Sequence, residues 1–409
     1  MNIEGCQITE EGINGIKGFK YAGVCCGIKR SGREDIALLF SEVPAVAAGV
    51  FTTNKTKAAP VLVDQENIKN PVARAVIINS GIANACTGQR GMENALKMVR
   101  LAAGMLGVDY REVLVSSTGL IGVQLPMKKI ETGITKAVES LSADGGDAAA
   151  RGIMTTDTRQ KKISVKVNLE GGEARVGAIA KGSGMIHPNM ATMLCYILTD
   201  AAVEKGLLQE ILEETVNDTF NMISVDGDTS TNDSVIALAN GMAGNRRITE
   251  KNGDYYRLLG AFKTAATAMA KEIVRDGEGA TKFLQVRVIN APTTEDARVG
   301  AKAIVSSNLV KAAFFGEDAN WGRILCALGY SGADFDPGKV EMHINSSKGT
   351  IKLVDMGEGL DFDEDKASSI LGERDIEIVV NLHHGEHQAT AWGCDLSYDY
   401  VKINGSYRT

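Results

Sequence analysis

Short runs rich in valine and isoleucine recur along this chain, and they constrain its fold more than any other feature. They fall at Ala73–Asn79, Val113–Ser117, Lys162–Leu169, Ser234–Asn240, Phe283–Asn290 and Ile376–Leu382. β-Branched side chains of this kind favour extended backbone. Between them lie segments with apolar residues at helical spacing: Met92–Leu106, Leu207–Ile223 and Tyr256–Val274. Each has one apolar face, so each covers a sheet. Strands and helices alternate irregularly, and many strands read as antiparallel neighbours. The expected fold is therefore α+β, layered α/β/β/α, rather than a doubly wound parallel sheet. No repeat and no low-complexity linker divides the chain. The one candidate boundary is the glycine-rich approach to Thr192.

The bulk properties narrow the class. A chain of 409 residues, 44% hydrophobic, is long enough for a large core. Its net charge of −7 argues against a nucleic-acid surface. The apolar runs fall short of a membrane span. The start, MNIEGCQITEEG, has early acids and no apolar core of an export signal, so a cytoplasmic location is expected. Seven cysteines, an odd number with no Cys-x-x-Cys pair, argue against structural disulfides and a cysteine zinc site.

Three stretches imitate known sites. HHGEH (His383–His387) contains the inverted zinc-peptidase pattern, and a zinc hydrolase centred on His383 and His387 is the alternative functional reading. That chemistry needs a helix. Here a strand-like run leads in and Gly385 sits inside the motif, so a turn is expected and no metal. DGDTSTND (Asp226–Asp233) resembles a calcium loop but lacks its glycine and its final acid; a polar turn, lining a site, fits better. NSGIANACTG (Asn79–Gly88) has glycines without a phosphate-loop lysine.

The stretch KGSGMIHPNMATMLCYILTD (Lys181–Asp200) carries the chemistry. A threonine hydroxyl is a weak nucleophile without a base beside it. An N-terminal threonine has one, its own α-amine, with a pKa of about 7.7–8.0. Cutting the chain between Ala191 and Thr192 would create that residue. Gly182, Gly184 and Pro188-Asn189 supply a tight turn from which the hydroxyl can attack the preceding carbonyl. The alternative is an ordinary strand residue.

KGSGMIHPNMATML resembles the processing site of the ornithine acetyltransferase (glutamate N-acetyltransferase) family of arginine biosynthesis. AAGVFTTNKTKAAPV (Ala47–Val61), NSGIANACTG, SSTGLIG (Ser116–Gly122), IMTTDT (Ile153–Thr158), DGDTSTND, ANWGRIL (Ala319–Leu325) and the C-terminal ATAWGCDLSYDYVKINGSYRT (Ala389–Thr409) resemble the same family, in the same order. The resemblance covers essentially the whole chain. It implies a layered α/β/β/α fold and self-cleavage into an α chain (1–191) and a β chain (192–409), usually two of each. Thr192 would take the acetyl group of N-acetylornithine. Thr118 and Gly119 would form the oxyanion hole. Thr155, Lys181, Glu278, Asn404 and Thr409 would contact substrate together with Thr192. Lys181 suits a carboxylate and Glu278 an amino group. The family needs no metal and no bound cofactor; some members also use acetyl-CoA as a co-substrate, and nothing in these residues decides that. The partners implied are small molecules and the two cut chains, with no nucleic acid or membrane. His187 departs from the small residue usual beside the cleavage turn, and the His383–His387 segment is richer in histidine than the family's pattern.

Overall fold

The computed structural model describes residues 6–9, 11–187 and 193–406. The chain runs β1 (Cys6–Thr9), β2 (Phe19–Val24), β3 (Ile36–Phe51), α1 (Ala59–Asn67), β4 (Ala73–Ile82), α2 (Gly88–Leu106), β5 (Val113–Leu120), α3 (Met127–Glu139), α4 (Gly146–Ile153), β6 (Lys161–Leu169), β7 (Gly172–Lys181), β8 (Leu194–Thr199), α5 (Lys205–Asp218), β9 (Ile223–Ser224), β10 (Ser234–Ala239) and α6 (Gly253–Arg275). It continues with β11 (Phe283–Ala291), α7 (Thr294–Ser306), α8 (Asn308–Phe315), α9 (Trp321–Gly329), β12 (Glu341–Ser346), β13 (Gly349–Asp355), β14 (Glu358–Gly359), α10 (Glu364–Leu371), β15 (Asp375–Asn381), β16 (His387–Cys394) and α11 (Tyr398–Ser406).

Strand β3 organises the first half. It is 16 residues long and serves two neighbourhoods. Ile36–Ser41 pair with β2 and Ile36–Phe40 with β4, while Val46–Phe51 pair with β10. The β4 register breaks between Phe40 and Ala45, around Pro44, which has no N–H to give a ladder. The ladder therefore runs β1-β6-β7-β8-β10-β3-β4-β5, with β2 also on β3. Its two halves fold onto each other. Ala37, Leu39, Val76, Ile78 and Leu114 from one half share a core with Ile179, Leu194, Tyr196, Leu198, Ile236 and Leu238 from the other. Helices α1, α2 and α3 cover one outer face through Ile77, Val113 and Val115. Helices α5 and α6 cover the other through Val165, Val176, Ile197 and Val235. This is the expected α/β/β/α stack.

The strands of the centre are buried on both faces, which is why they read as unbroken apolar runs. Every residue of β8 (LCYILT) and of β10 (SVIALA) is buried, and the two pair in parallel. A second sheet, in the order β14-β13-β12-β15-β11-β16-β9, follows in the last third of the chain, with α7 packed against β11 and β16. Helix α6 touches β6 and β7 on one side and β16 on another. Small residues such as Ala261, Ala265 and Ala266 let it fit between them. Its Asn252 side chain caps the first turn at 3.0 Å from the Asp254 nitrogen and 3.1 Å from that of Tyr255.

Of the expected helices, Leu207–Ile223 runs too long. Helix α5 ends at Asp218, and Ile223 already pairs with Trp392 of β16. Thr219 leaves the helical region, with its hydroxyl bonded back to the Thr215 carbonyl at 2.6 Å. The buried Phe220 and Met222 continue the apolar spacing past the break. The strands on either side of the glycine-rich approach to Thr192 belong to one sheet. Lys181 of β7 lies opposite Leu194 of β8 in antiparallel register. No described helix is long and apolar enough to cross a membrane.

Candidate active site

Strand β5 ends in the turn that begins the site. Thr118 and Gly119 lie beside Ser80 and Gly81 of β4 in parallel register. Gly119 has φ +127°, and a Cβ there would sit 2.2 Å from the Gly81 carbonyl carbon. Only glycine allows this approach. Side chains of the NSGIANACTG and DGDTSTND segments hold the turn. Asn79 accepts from the Ser117 hydroxyl at 2.6 Å, and Asn232 donates to the carbonyls of Ala83 (2.6 Å) and Ser117 (2.8 Å).

A cavity of about 210 Å³ lies against this turn, lined by Thr118, Gly119, Thr155, Lys181, Glu278 and Asn404. These six come from positions up to 286 residues apart in the chain (Asn404 less Thr118) and are the expected site residues that the structure describes. Ala191, Thr192 and Thr409 lie outside the described residues. Met193 and Leu194, directly after Thr192, also line the cavity.

Lys181 is the end of β7 and is buried, not solvated. Its ammonium donates to the Thr118 hydroxyl oxygen at 3.4 Å. Burial lowers its affinity for the proton; the negative charges of Asp157, Asp233 and Glu278 counter that, and Lys161 adds to it. Glu278 is placed by its backbone, whose N–H donates to the Ser183 carbonyl at 2.8 Å. Its carboxylate lies across Gly184, where a Cβ would come 2.5 Å from it and would push the Glu278 side chain aside. Asn404 of α11 donates to the same carboxylate at 2.9 Å. The rest of α11 is largely exposed, and Asn404 brings the C-terminal helix to the cavity wall.

The sequence reading missed several groups around the cavity. Asp233 lines it, is buried, and has one oxygen without a hydrogen-bond partner among the described residues. Burial pushes its carboxyl well above the ordinary range. Asp157, in the IMTTDT block, accepts from the Thr155 N–H at 2.9 Å and the Gly182 N–H at 2.7 Å. Both acids stand in quoted motifs, but only burial separates them from surface acids. The DGDTSTND stretch is the expected polar turn. Asp226 accepts from the N–H groups of Met185 (2.6 Å) and Ile186 (2.8 Å), and Ser230, Thr231 and Asn232 line the cavity.

His187 is half-buried, with Nδ1 3.0 Å from the Ser224 hydroxyl. Burial, helped by Lys302, lowers it to about 4, so its ring is neutral near pH 7. The alternative zinc reading lacks its helix. His383 and His384 sit in the turn between β15 and β16, and His383 pairs with Glu341 at 3.3 Å. Among the described residues no group of three or more His, Cys, Asp and Glu is placed to hold a metal ion.

The sequence profile of the ArgJ family matches residues 20–409. The chain belongs to the ArgJ family. The arginine biosynthesis bifunctional protein ArgJ of Caldanaerobacter subterraneus is 56% identical over 98% of this chain and 100% of its own. That of Thermotoga neapolitana is 55% identical over 96% and 99%. A solved structure of the Bacillus halodurans ArgJ protein is 45% identical, covering 52% of this chain and 98% of its own with a TM-score of 0.49. ArgJ membership makes this chain an enzyme, an acyltransferase of arginine biosynthesis.

Proposed function

We propose that this ArgJ-family chain moves the acetyl group of N2-acetyl-L-ornithine to L-glutamate through an acetyl ester on Thr192. The observation that carries the proposal is the convergence of Thr118, Gly119, Thr155, Lys181, Glu278 and Asn404 on one cavity whose wall includes Met193, the residue bonded to Thr192. The polar groups suit an N-acylated amino acid: a cation for its carboxylate, an acid for its free amino group, and a turn for the acyl oxygen.

Maturation comes first. The Thr192 hydroxyl attacks the Ala191 carbonyl carbon, the Ala191–Thr192 C–N bond breaks, and the nitrogen leaves as a free amine. Water then opens the ester, giving chains 1–191 and 192–409. Because β7 and β8 are neighbours in one sheet, the two chains stay together. In turnover, the Thr192 hydroxyl attacks the acetyl carbonyl carbon. Its α-amine takes the hydroxyl proton and passes it to the ornithine nitrogen as that C–N bond breaks. Glutamate's amine then attacks the ester, loses a proton, and restores the hydroxyl. Thr118 and the Gly119 N–H stabilise the oxyanion in both halves. Lys181 and Glu278 hold the carboxylate and amino group, with Thr155, Asn404 and Thr409 completing the contacts. This chemistry uses no metal and no bound cofactor.

The bifunctional name of the relatives supports a second donor, acetyl-CoA, entering by the same ester. The working assembly is two copies of each chain, in the cytoplasm. The test is a purified sample assayed with glutamate and each donor in turn, beside Thr192→Ala. The variant should remain one uncut chain and transfer nothing. An uncut variant that still transfers acetyl groups would end the proposal.

A further inference from the structure

Behind the cavity lies a row of buried charges that none of these steps uses. Lys161, at the start of β6, bridges two carboxylates: Asp157 at 2.7 Å and Asp276 at 2.5 Å. All three side chains are at most 3% exposed. Each acid also holds backbone. Asp157 accepts from the N–H of Thr155 and from that of Gly182, the residue after Lys181. Asp276 accepts from Thr158, through its N–H at 3.1 Å and its hydroxyl, and stands two residues before Glu278. One network thus ties together the α4–β6 loop, the end of β7 and the α6–β11 loop. Those are the segments that carry Thr155, Lys181 and Glu278.

We infer that Asp157 is a positioning residue, which fixes Thr155 and the Lys181 segment and supplies the negative charge that a buried Lys181 needs to bind a substrate carboxylate. A buried ion pair is weak support for stability by itself. This one is placed for function, because the two backbone bonds of Asp157 end on Thr155, which lines the cavity, and on Gly182, the neighbour of Lys181. Burial alone would raise the Asp157 carboxyl, but Lys161 and Lys181 outweigh it and hold it at about 2. The reciprocal effect falls on Lys181. Burial and Lys161 favour its neutral amine; Asp157, Asp233 and Glu278 favour the ammonium, with Asp157 the strongest of the three. Lys29, from the β2–β3 loop, lies in the same field and adds positive charge. Without Asp157 the balance moves toward a neutral Lys181.

The inference rests on the proposed contact between Lys181 and the substrate carboxylate. Wild type, Asp157→Asn and Lys181→Ala are therefore compared in N2-acetylornithine turnover from about pH 6 to about pH 9, after a denaturing gel confirms cutting. Asparagine keeps the shape and an acceptor oxygen but not the charge. In Asp157→Asn, KM should rise with pH from about one unit or more below the point where wild type does so, while kcat at saturation changes little. An identical pH dependence of KM in Asp157→Asn and wild type, with KM raised in Lys181→Ala, overturns the inference alone. A normal KM in Lys181→Ala overturns the carboxylate contact itself and the inference with it. Should Asp157→Asn not fold, 13C labelling of the wild-type carboxyl decides. It should stay ionised down to about pH 2, and titration in the ordinary aspartate range overturns the inference.

Discussion

Thr118 and Lys181 share a hydrogen bond of 3.4 Å, and it divides their work. The ammonium can only donate, so the Thr118 oxygen accepts and its own proton stays free for the cavity. That proton is proposed to meet charge that exists only in the transition state. Thr118→Ala should therefore lower kcat by about 10²-fold with KM little changed. A raised KM at unchanged kcat would turn Thr118 into a binding residue. Glu278→Gln keeps the shape and removes the charge offered to the substrate amino group. It should cut itself normally and lose roughly ten- to a hundredfold in acetylornithine kcat/KM, the usual worth of a charge-assisted contact. Normal turnover in a cut Glu278→Gln sample would show that the amino group binds elsewhere. These residues became legible through resemblance, not spacing: no periodicity separates Glu278 from any other loop acid. Asp233 and Asp157 stayed hidden because their distinguishing property is burial, which arises from strands far away in the chain.

The elements themselves were partly readable. Strands β4, β5, β6, β10, β11 and β15 stand out because their branched residues are local signals. Helix α1 gave no such signal. Six of its nine residues are buried, the polar Asp64 and Asn67 among them, while the apolar Leu62 is exposed, so no polar stripe alternates with an apolar one. Helix α4, GDAAARGI, hides behind its two glycines, both of which lie tightly against neighbouring segments. Nor does a sequence pattern reveal that β3 serves both halves of the sandwich, since that depends on which strands arrive beside it. At this scale the turn after β5 makes the sharpest prediction. Gly119→Ala adds a methyl against the Gly81 carbonyl at a positive φ. It should cost about 1–3 kcal/mol in a thermal or urea melt and lower turnover at the same time. Thr118→Ala next door should lower turnover without that loss. Equal melting of Gly119→Ala and wild type would mean that the turn is not packed as described.

Across the whole molecule, the site is built from both sides of the proposed cut. Thr118, Thr155 and Lys181 precede it; Met193, Glu278 and Asn404 follow it. Neither piece holds the cavity alone. The β7–β8 pairing, the shared core and the Lys161 bridge between Asp157 and Asp276 all cross from one piece to the other. The two pieces should therefore co-purify under native conditions and separate only on denaturation, and activity should follow the complex in gel filtration. Activity carried by a fraction containing one piece would contradict that dependence. Acidification acts on the first piece's side of that network, because Asp157 and its partners Lys161, Lys181 and Gly182 all precede the cut. A carboxylate whose folded pKa is depressed, as for Asp157, contributes stability in full above the ordinary aspartate range. That contribution is lost as pH falls through about 2.

The central claim is that Thr192 becomes an N-terminus and carries the acetyl group. Intact-mass spectrometry of the purified protein, mixed with N2-acetylornithine in the absence of glutamate and quenched, tests it most directly. Before substrate is added, two pieces should appear whose masses add to that of the 43.4 kDa chain plus one water. The larger should begin TMLCYILTD and, once N2-acetylornithine is added, become heavier by one acetyl group, on Thr192, with ornithine released in equal amount. Adding glutamate should remove that group. A fully active chain that stays in one piece, or an acetyl group found on any other residue, would contradict the account.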